Sequence, residues 1–162
     1  SKNMKTNKIT RPGSKNKKSS AKTKKIKGNY YKITSKSKKT VLYVKPASKN
    51  ITSVNIPSTV KIGGKRYKVT GIAANAFKNY KKLKKVTIGA NIRNIGKRAF
   101  YRCSNLKTVK MKTSKLVNSQ VGKQAFKGIY KKAVIKVPKK QLKAYKKLLK
   151  IRGVGKKVKI KK

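Results

Sequence analysis

The sequence of 162 residues predicts a repeat solenoid: short coils stacked through a short-strand sheet, with an N-terminal β-hairpin region before them and a C-terminal capping helix after them. Ile72-Ala73-Ala74-Asn75-Ala76-Phe77 returns as Ile95-Gly96-Lys97-Arg98-Ala99-Phe100 and again as Val121-Gly122-Lys123-Gln124-Ala125-Phe126, so the Ala-Phe pair recurs after 23 and then 26 residues. Three strand-like triplets, VTI at 86–88, VKM at 109–111 and IKV at 135–137, keep step with that repeat. Leu142, Tyr145, Leu148 and Leu149 then follow at helical spacing. A period in the twenties that carries one short strand and one helical turn cannot bury its apolar face alone, so copies must stack.

Taken in order, residues 1–28 are dense in Lys, Ser, Thr, Asn and Gly and nearly devoid of large apolar side chains, which predicts a basic disordered arm. Residues 29–70 read as an N-terminal strand and hairpin capping region. Tyr30, Tyr31 and Ile33 precede the polar turn SKSKK and then Val41 to Val44; Val54 and Ile56 alternate before Pro57; Val60 and Ile62 lead through Gly63-Gly64 to Tyr67 and Val69. Residues 71–138 hold the coils, in which Leu83 with Leu106, and Tyr80 with Cys103 and Ile129, share columns expected to be core. Residues 139–162 hold the capping helix, closed by Gly153 and Gly155, and a terminal strand in which Val158 and Ile160 alternate.

Composition narrows the chemistry. The chain has 51 Lys plus Arg, no Asp, no Glu and no His, for a formal charge of +51 at neutral pH. Acid–base catalysis by carboxylate or imidazole, carboxylate nucleophiles, Ser-His-Asp triads and divalent-metal sites all draw on the missing residues, so no enzyme, no cofactor and no metal is expected. No Lys stands out as a candidate base or Schiff-base amine. The single Cys103 allows no internal disulfide and is expected to be a small buried apolar residue. No apolar run approaches the roughly 18 residues that span a bilayer. The N-terminal SKNMKTNKIT lacks a hydrophobic signal core, which is compatible with a mature secreted fragment as well as with a cytosolic protein.

At NIPSTVKIGGKRYKVTGIAANAF, NIRNIGKRAFYRCSNLKTVKM and VGKQAFKGIYKKAVIKVP, about residues 51–138, the chain resembles the BspA-like leucine-rich repeats of bacterial cell-surface and secreted proteins. The resemblance implies a right-handed leucine-rich-repeat solenoid that is secreted or at the bacterial cell surface. It implies adhesion or ligand display, with no shared catalytic residues.

A surface that is merely soluble mixes both signs of charge, and this one carries a single sign. Strand alternation predicts an outward column of Thr87, Lys110 and Lys136; a second column holds Ala74, Lys97 and Lys123, and a third Lys84 and Lys107. Equivalent lysines on coils about 4.8 Å apart repel one another, and an anionic polymer laid across them would relieve this and release its counterions. The expected partners are therefore anionic polymers or surfaces: teichoic acid, extracellular nucleic acid without sequence reading, sulfated or sialylated glycans. Only Arg11, Arg66, Arg93, Arg98, Arg102 and Arg152 are arginines, which argues against base-specific recognition. A second function class stays open, a membrane-active cationic protein whose tail helix inserts Leu142, Tyr145, Leu148 and Leu149 into anionic lipid; the competing role for that helix is the cap.

Overall fold

A computed structural model describes residues 23–162, and most of the expected basic arm, 1–22, lies outside the described residues. The arm was expected to run to residue 28, yet Thr23–Ile26 forms strand β1, antiparallel to β2 (Asn29–Ser35). The turn between them explains this: Lys27 and Gly28 both have positive φ, 48° and 81°, as a two-residue hairpin turn requires. Strand β3 (Thr40–Pro46) continues the antiparallel sheet, and β5 (Thr59–Ile62) and β6 (Lys65–Ile72) form a second hairpin through Gly63-Gly64.

Strand β4 (Ser53–Ile56) departs from the expected division. Although it lies inside the N-terminal capping region, it opens the sheet of the repeats, a five-stranded parallel ladder in the order β11, β10, β9, β7, β4. The others are β7 (Lys85–Ile88), β9 (Thr108–Met111), β10 (Val134–Lys136) and β11 (Lys159–Lys161). The register places Ile56 beside Ile88 and Ile88 beside Met111, so β4 joins the sheet that buries its Ile56 in the same row. The triplets read from the sequence fall inside β7, β9 and, but for Val137, β10; β11 is the expected last strand.

On a second side, the end of β3, the end of β6, the short β8 (Asn94–Ile95) and Val121 run in parallel, pairing Tyr43 with Ile72, Ile72 with Ile95 and Ile95 with Val121. The Ala-Phe segments close the coil, and here too successive copies bond through the backbone. Phe77 N–H donates to Ala99 O at 2.7 Å and Phe100 N–H to Ala125 O at 2.8 Å. The second copy is longer because its extra residues fall between Met111 and Val121, where Asn118–Gln120 adds a 3-10 turn.

The core follows from this stacking. Phe77, Phe100 and Phe126 are fully buried and lie face to face, with centroids 5.0 and 5.2 Å apart and planes within 11°. Tyr43 of β3 continues the row, 5.5 Å from Phe77. Leu83 with Leu106, and Tyr80 with Cys103 and Ile129, form the expected buried columns.

Helix α1 (Leu142–Ile151) buries Tyr145, Leu148 and Leu149. Its anchor is Tyr145, whose hydroxyl donates to Thr113 O at 2.9 Å and accepts from Leu116 N–H at 3.1 Å. Arg152, at its end, donates to Val121 O at 2.6 Å and Asn118 O at 2.7 Å, which ties the helix to the last Ala-Phe copy.

Cys103 is buried, its thiol donating to Phe77 O at 3.0 Å, and burial pushes its pKa up to about 12. The thiolate is the reactive form. Cys103 is therefore expected to resist thiol reagents at neutral pH in the native chain and to react on unfolding; fast native labelling would contradict the column. The bond to Phe77 O also gives a hydroxyl at this position a partner, so Cys103→Ser costs less here than in a purely apolar column.

Candidate anion-binding face

The outward rows of the parallel sheet come from strict alternation. In β7, Val86 and Ile88 are buried while Lys85 and Thr87 face out; in β9, Val109 and Met111 are buried while Lys110 faces out. Register then aligns Thr87 with Lys110, Lys110 with Lys136 and Lys136 with Lys161. Three successive strands therefore present a lysine at the same height, each exposed and each about 4.8 Å from the next strand. Thr87, Lys110 and Lys136 stack in register, and the row extends to Asn55 at one end and Lys161 at the other. Lys161 was missed although the alternation of Val158 and Ile160 had marked its strand, because three apolar-poor residues do not reveal their register. A second outward row, Ser53, Lys85, Thr108, Val134 and Lys159, adds two further lysines.

The other expected lysines stack but lie elsewhere on the coil. Lys97 and Lys123 follow the second ladder: Asn75 N–H donates to Lys97 O and Arg98 N–H to Lys123 O, both at 3.0 Å. Both are exposed, and Ala74 precedes them in the row. This stacking is tight because Gly96 and Gly122 lie against the preceding coil; a Cβ on either would come within 2.6 Å of the Cα of Ala74 or Lys97 respectively. Lys84 and Lys107 stand just before the parallel sheet, joined by Lys107 N–H to Lys84 O at 3.0 Å. Their column ends there, since Val134 N–H bonds Lys107 O and the next position is the buried Ala133. Lys107 also directs its ammonium to Tyr130, 5.1 Å from the ring centroid. The six lysines thus form three separate rows, of which only Lys110 and Lys136 belong to the broad sheet face.

Of the eight tyrosines, Tyr31, Tyr43, Tyr67, Tyr80 and Tyr145 are buried, as packing requires. Tyr30, Tyr101 and Tyr130 are half-buried, and each lies beneath at least one cation. Among the described residues no group of three or more metal-ligating side chains occurs. No described helix is long and apolar enough to cross a membrane.

The model of the BspA type leucine rich repeat region matches residues 46–150 as six copies. The chain belongs to this family. The BspA-type match starts upstream of the first Ala-Phe copy, in keeping with β4 as the opening strand of the parallel sheet. The fold recurs in solved structures. A leucine rich cell surface protein from Faecalibacterium prausnitzii A2-165 is 23% identical with a TM-score of 0.56, over 73% of this chain and 37% of that one. A leucine-rich repeat protein from Bacteroides capillosus ATCC 29799 has the same identity and TM-score, over 72% of this chain and 83% of that one. One from Bacteroides ovatus ATCC 8483 is 22% identical with a TM-score of 0.51, over 85% of this chain and 40% of that one. At these identities the likeness is one of fold. No curated protein matches the sequence. What the BspA-type frame contributes is a curled stack of repeats whose side chains recur in rows.

Proposed function

We propose that this chain is a non-enzymatic binding module, secreted or on the bacterial cell surface, whose stacked repeats form a right-handed solenoid that holds anionic polymers by charge. The observation that carries this reading is the row Lys110, Lys136 and Lys161 on adjacent strands, in a chain without a single carboxylate side chain. A side-by-side row of like charges with no internal counterion is best neutralised by a linear polyanion crossing the strands, which displaces several counterions at once. Teichoic acid, extracellular nucleic acid and sulfated or sialylated glycans all meet that description. The membrane-active alternative has less support, because Tyr145, Leu148 and Leu149, which it would insert, are buried in the cap.

The test is affinity as a function of salt. On duplex DNA the logarithm of affinity should fall linearly with the logarithm of salt, by about 0.9 per phosphate neutralised. Changing Lys110, Lys136 and Lys161 together to Gln should reduce the slope by roughly 2 to 3 on the same rule, and Lys97→Gln with Lys123→Gln should change it less. An unchanged slope in the first variant would show that binding lies off the sheet face.

A further inference from the structure

The turn of each Ala-Phe segment holds two residues with positive φ. One column is Asn75, Arg98 and Gln124, at 61°, 54° and 57°; the other is Asn79, Arg102 and Gly128, at 63°, 57° and 85°. Asn and Gly adopt this left-handed region most readily, and the flanking copies use them at three of the four positions. The central copy puts arginine at both. The conformation itself belongs to every copy; what is particular to the central copy is that arginine occupies it twice. Arginine is also the rarer cation, since 45 of the 51 basic residues are lysine.

Both arginines lie against Tyr101, which is half-buried. The guanidinium carbons of Arg98 and Arg102 each lie 5.3 Å from its ring centroid, and the ammonium of Lys78, from the preceding copy, lies at 5.9 Å. From the following copy, Gln124 accepts a hydrogen bond from Arg98 Nε at 2.7 Å. One N–H fixes the orientation of that guanidinium, which has four others. Three copies of the repeat thus supply one cluster: the ring is the platform, Gln124 the brace, and three cations lie against the same ring in a chain without a carboxylate side chain. In the lysine rows only Lys107 has a ring beneath it, Tyr130, with a single cation on it.

We propose that Arg98, Arg102 and Lys78, arranged on Tyr101, form a discrete site for a tetrahedral oxyanion ester, a phosphate or sulfate carried on a sugar. Three terminal oxygens match two planar forks and a point charge, whereas a carboxylate offers two oxygens. The site is separate from the lysine row of the sheet, so each can fail without the other.

The experiment is calorimetric titration of the full chain, at physiological salt, with three oligosaccharides of matched charge bearing sulfate esters, phosphate esters or carboxylates only. At least one tetrahedral ester is expected to bind about tenfold tighter than the carboxylate form, the scale of one charge-assisted hydrogen bond. Comparing the sulfate and phosphate arms names the source. Arg98→Lys with Arg102→Lys keeps every charge and should erase the preference; Tyr101→Leu should weaken it. Changing Lys110, Lys136 and Lys161 to Gln should lower all three affinities and leave the preference intact. Equal binding of the three sugars, or a preference that survives in the arginine-to-lysine variant, would overturn the site. Thermal unfolding of each variant separates loss of binding from loss of fold, and the single Arg102→Lys, at an exposed position, serves if the double variant unfolds.

Discussion

Replacing Phe100 with Ala is expected to destabilise the fold by about 3 to 5 kcal/mol, the usual cost of deleting a buried aromatic ring. Phe100 has no exposed surface and stacks on Phe77 at 5.0 Å and on Phe126 at 5.2 Å, so its removal opens a gap with rings on both sides. The gap cannot collapse readily, because backbone hydrogen bonds from Phe77 to Ala99 and from Phe100 to Ala125 hold the coils at fixed spacing. Denaturant unfolding at fixed ionic strength measures the loss. Val117→Ala, at an exposed position, provides the comparison and should lie within about 0.5 kcal/mol of the parent. A loss below about 1 kcal/mol for Phe100→Ala would mean that the ring row is not the core.

Gly122→Ala should cost about 3 kcal/mol, the upper part of the range for overpacking. The added methyl would meet the Cα of Lys97 at 2.6 Å, and backbone atoms cannot rotate away as a flexible side chain can. The two coils would have to part, stretching the bonds from Gly122 N–H to Ile95 O and from Arg98 N–H to Lys123 O. Gly155→Ala is the control, since a Cβ there meets nothing within 4 Å. The same unfolding measurement applies, and equal stability of the two variants would show that coil spacing is soft at Gly122.

Much of the repeat was legible because identical residues recur at identical offsets: the Ala-Phe pairs, the column of Tyr80, Cys103 and Ile129, and the alternation in β7 and β9 all fall where the pattern put them. Strand β1 was not legible, because Ile26 is its only apolar residue and its pairing rests on the Lys27-Gly28 turn. Local alternation in Ser53–Ile56 marked a strand but could not say which sheet receives it; partner choice depends on a row formed with Ile88, 32 residues later. The chosen lysines stack as columns, yet their division over separate sides of the coil needed the register. The cluster at Tyr101 had a signal in the aligned column of Asn75, Arg98 and Gln124, but those three residue types share no chemistry, and only their common positive φ reveals the pattern.

The ring row that begins at Tyr43 bears on how the molecule comes apart. In a linear array each copy touches only its neighbours, and unfolding can then fray inward from either end. Here the antiparallel N-terminal strands share a stack of aromatic rings with the second, third and fourth members of the row. Tyr43 is tied in turn to Asn29 of β2 by a 2.6 Å hydrogen bond and to Tyr31 by an edge contact at 5.5 Å. At the other end, Arg152 and Tyr145 bind α1 to the last coil. Phe126 N–H also donates to Arg152 O at 3.0 Å, so both terminal elements are fastened to the ring row, and fraying from either end must first break those contacts.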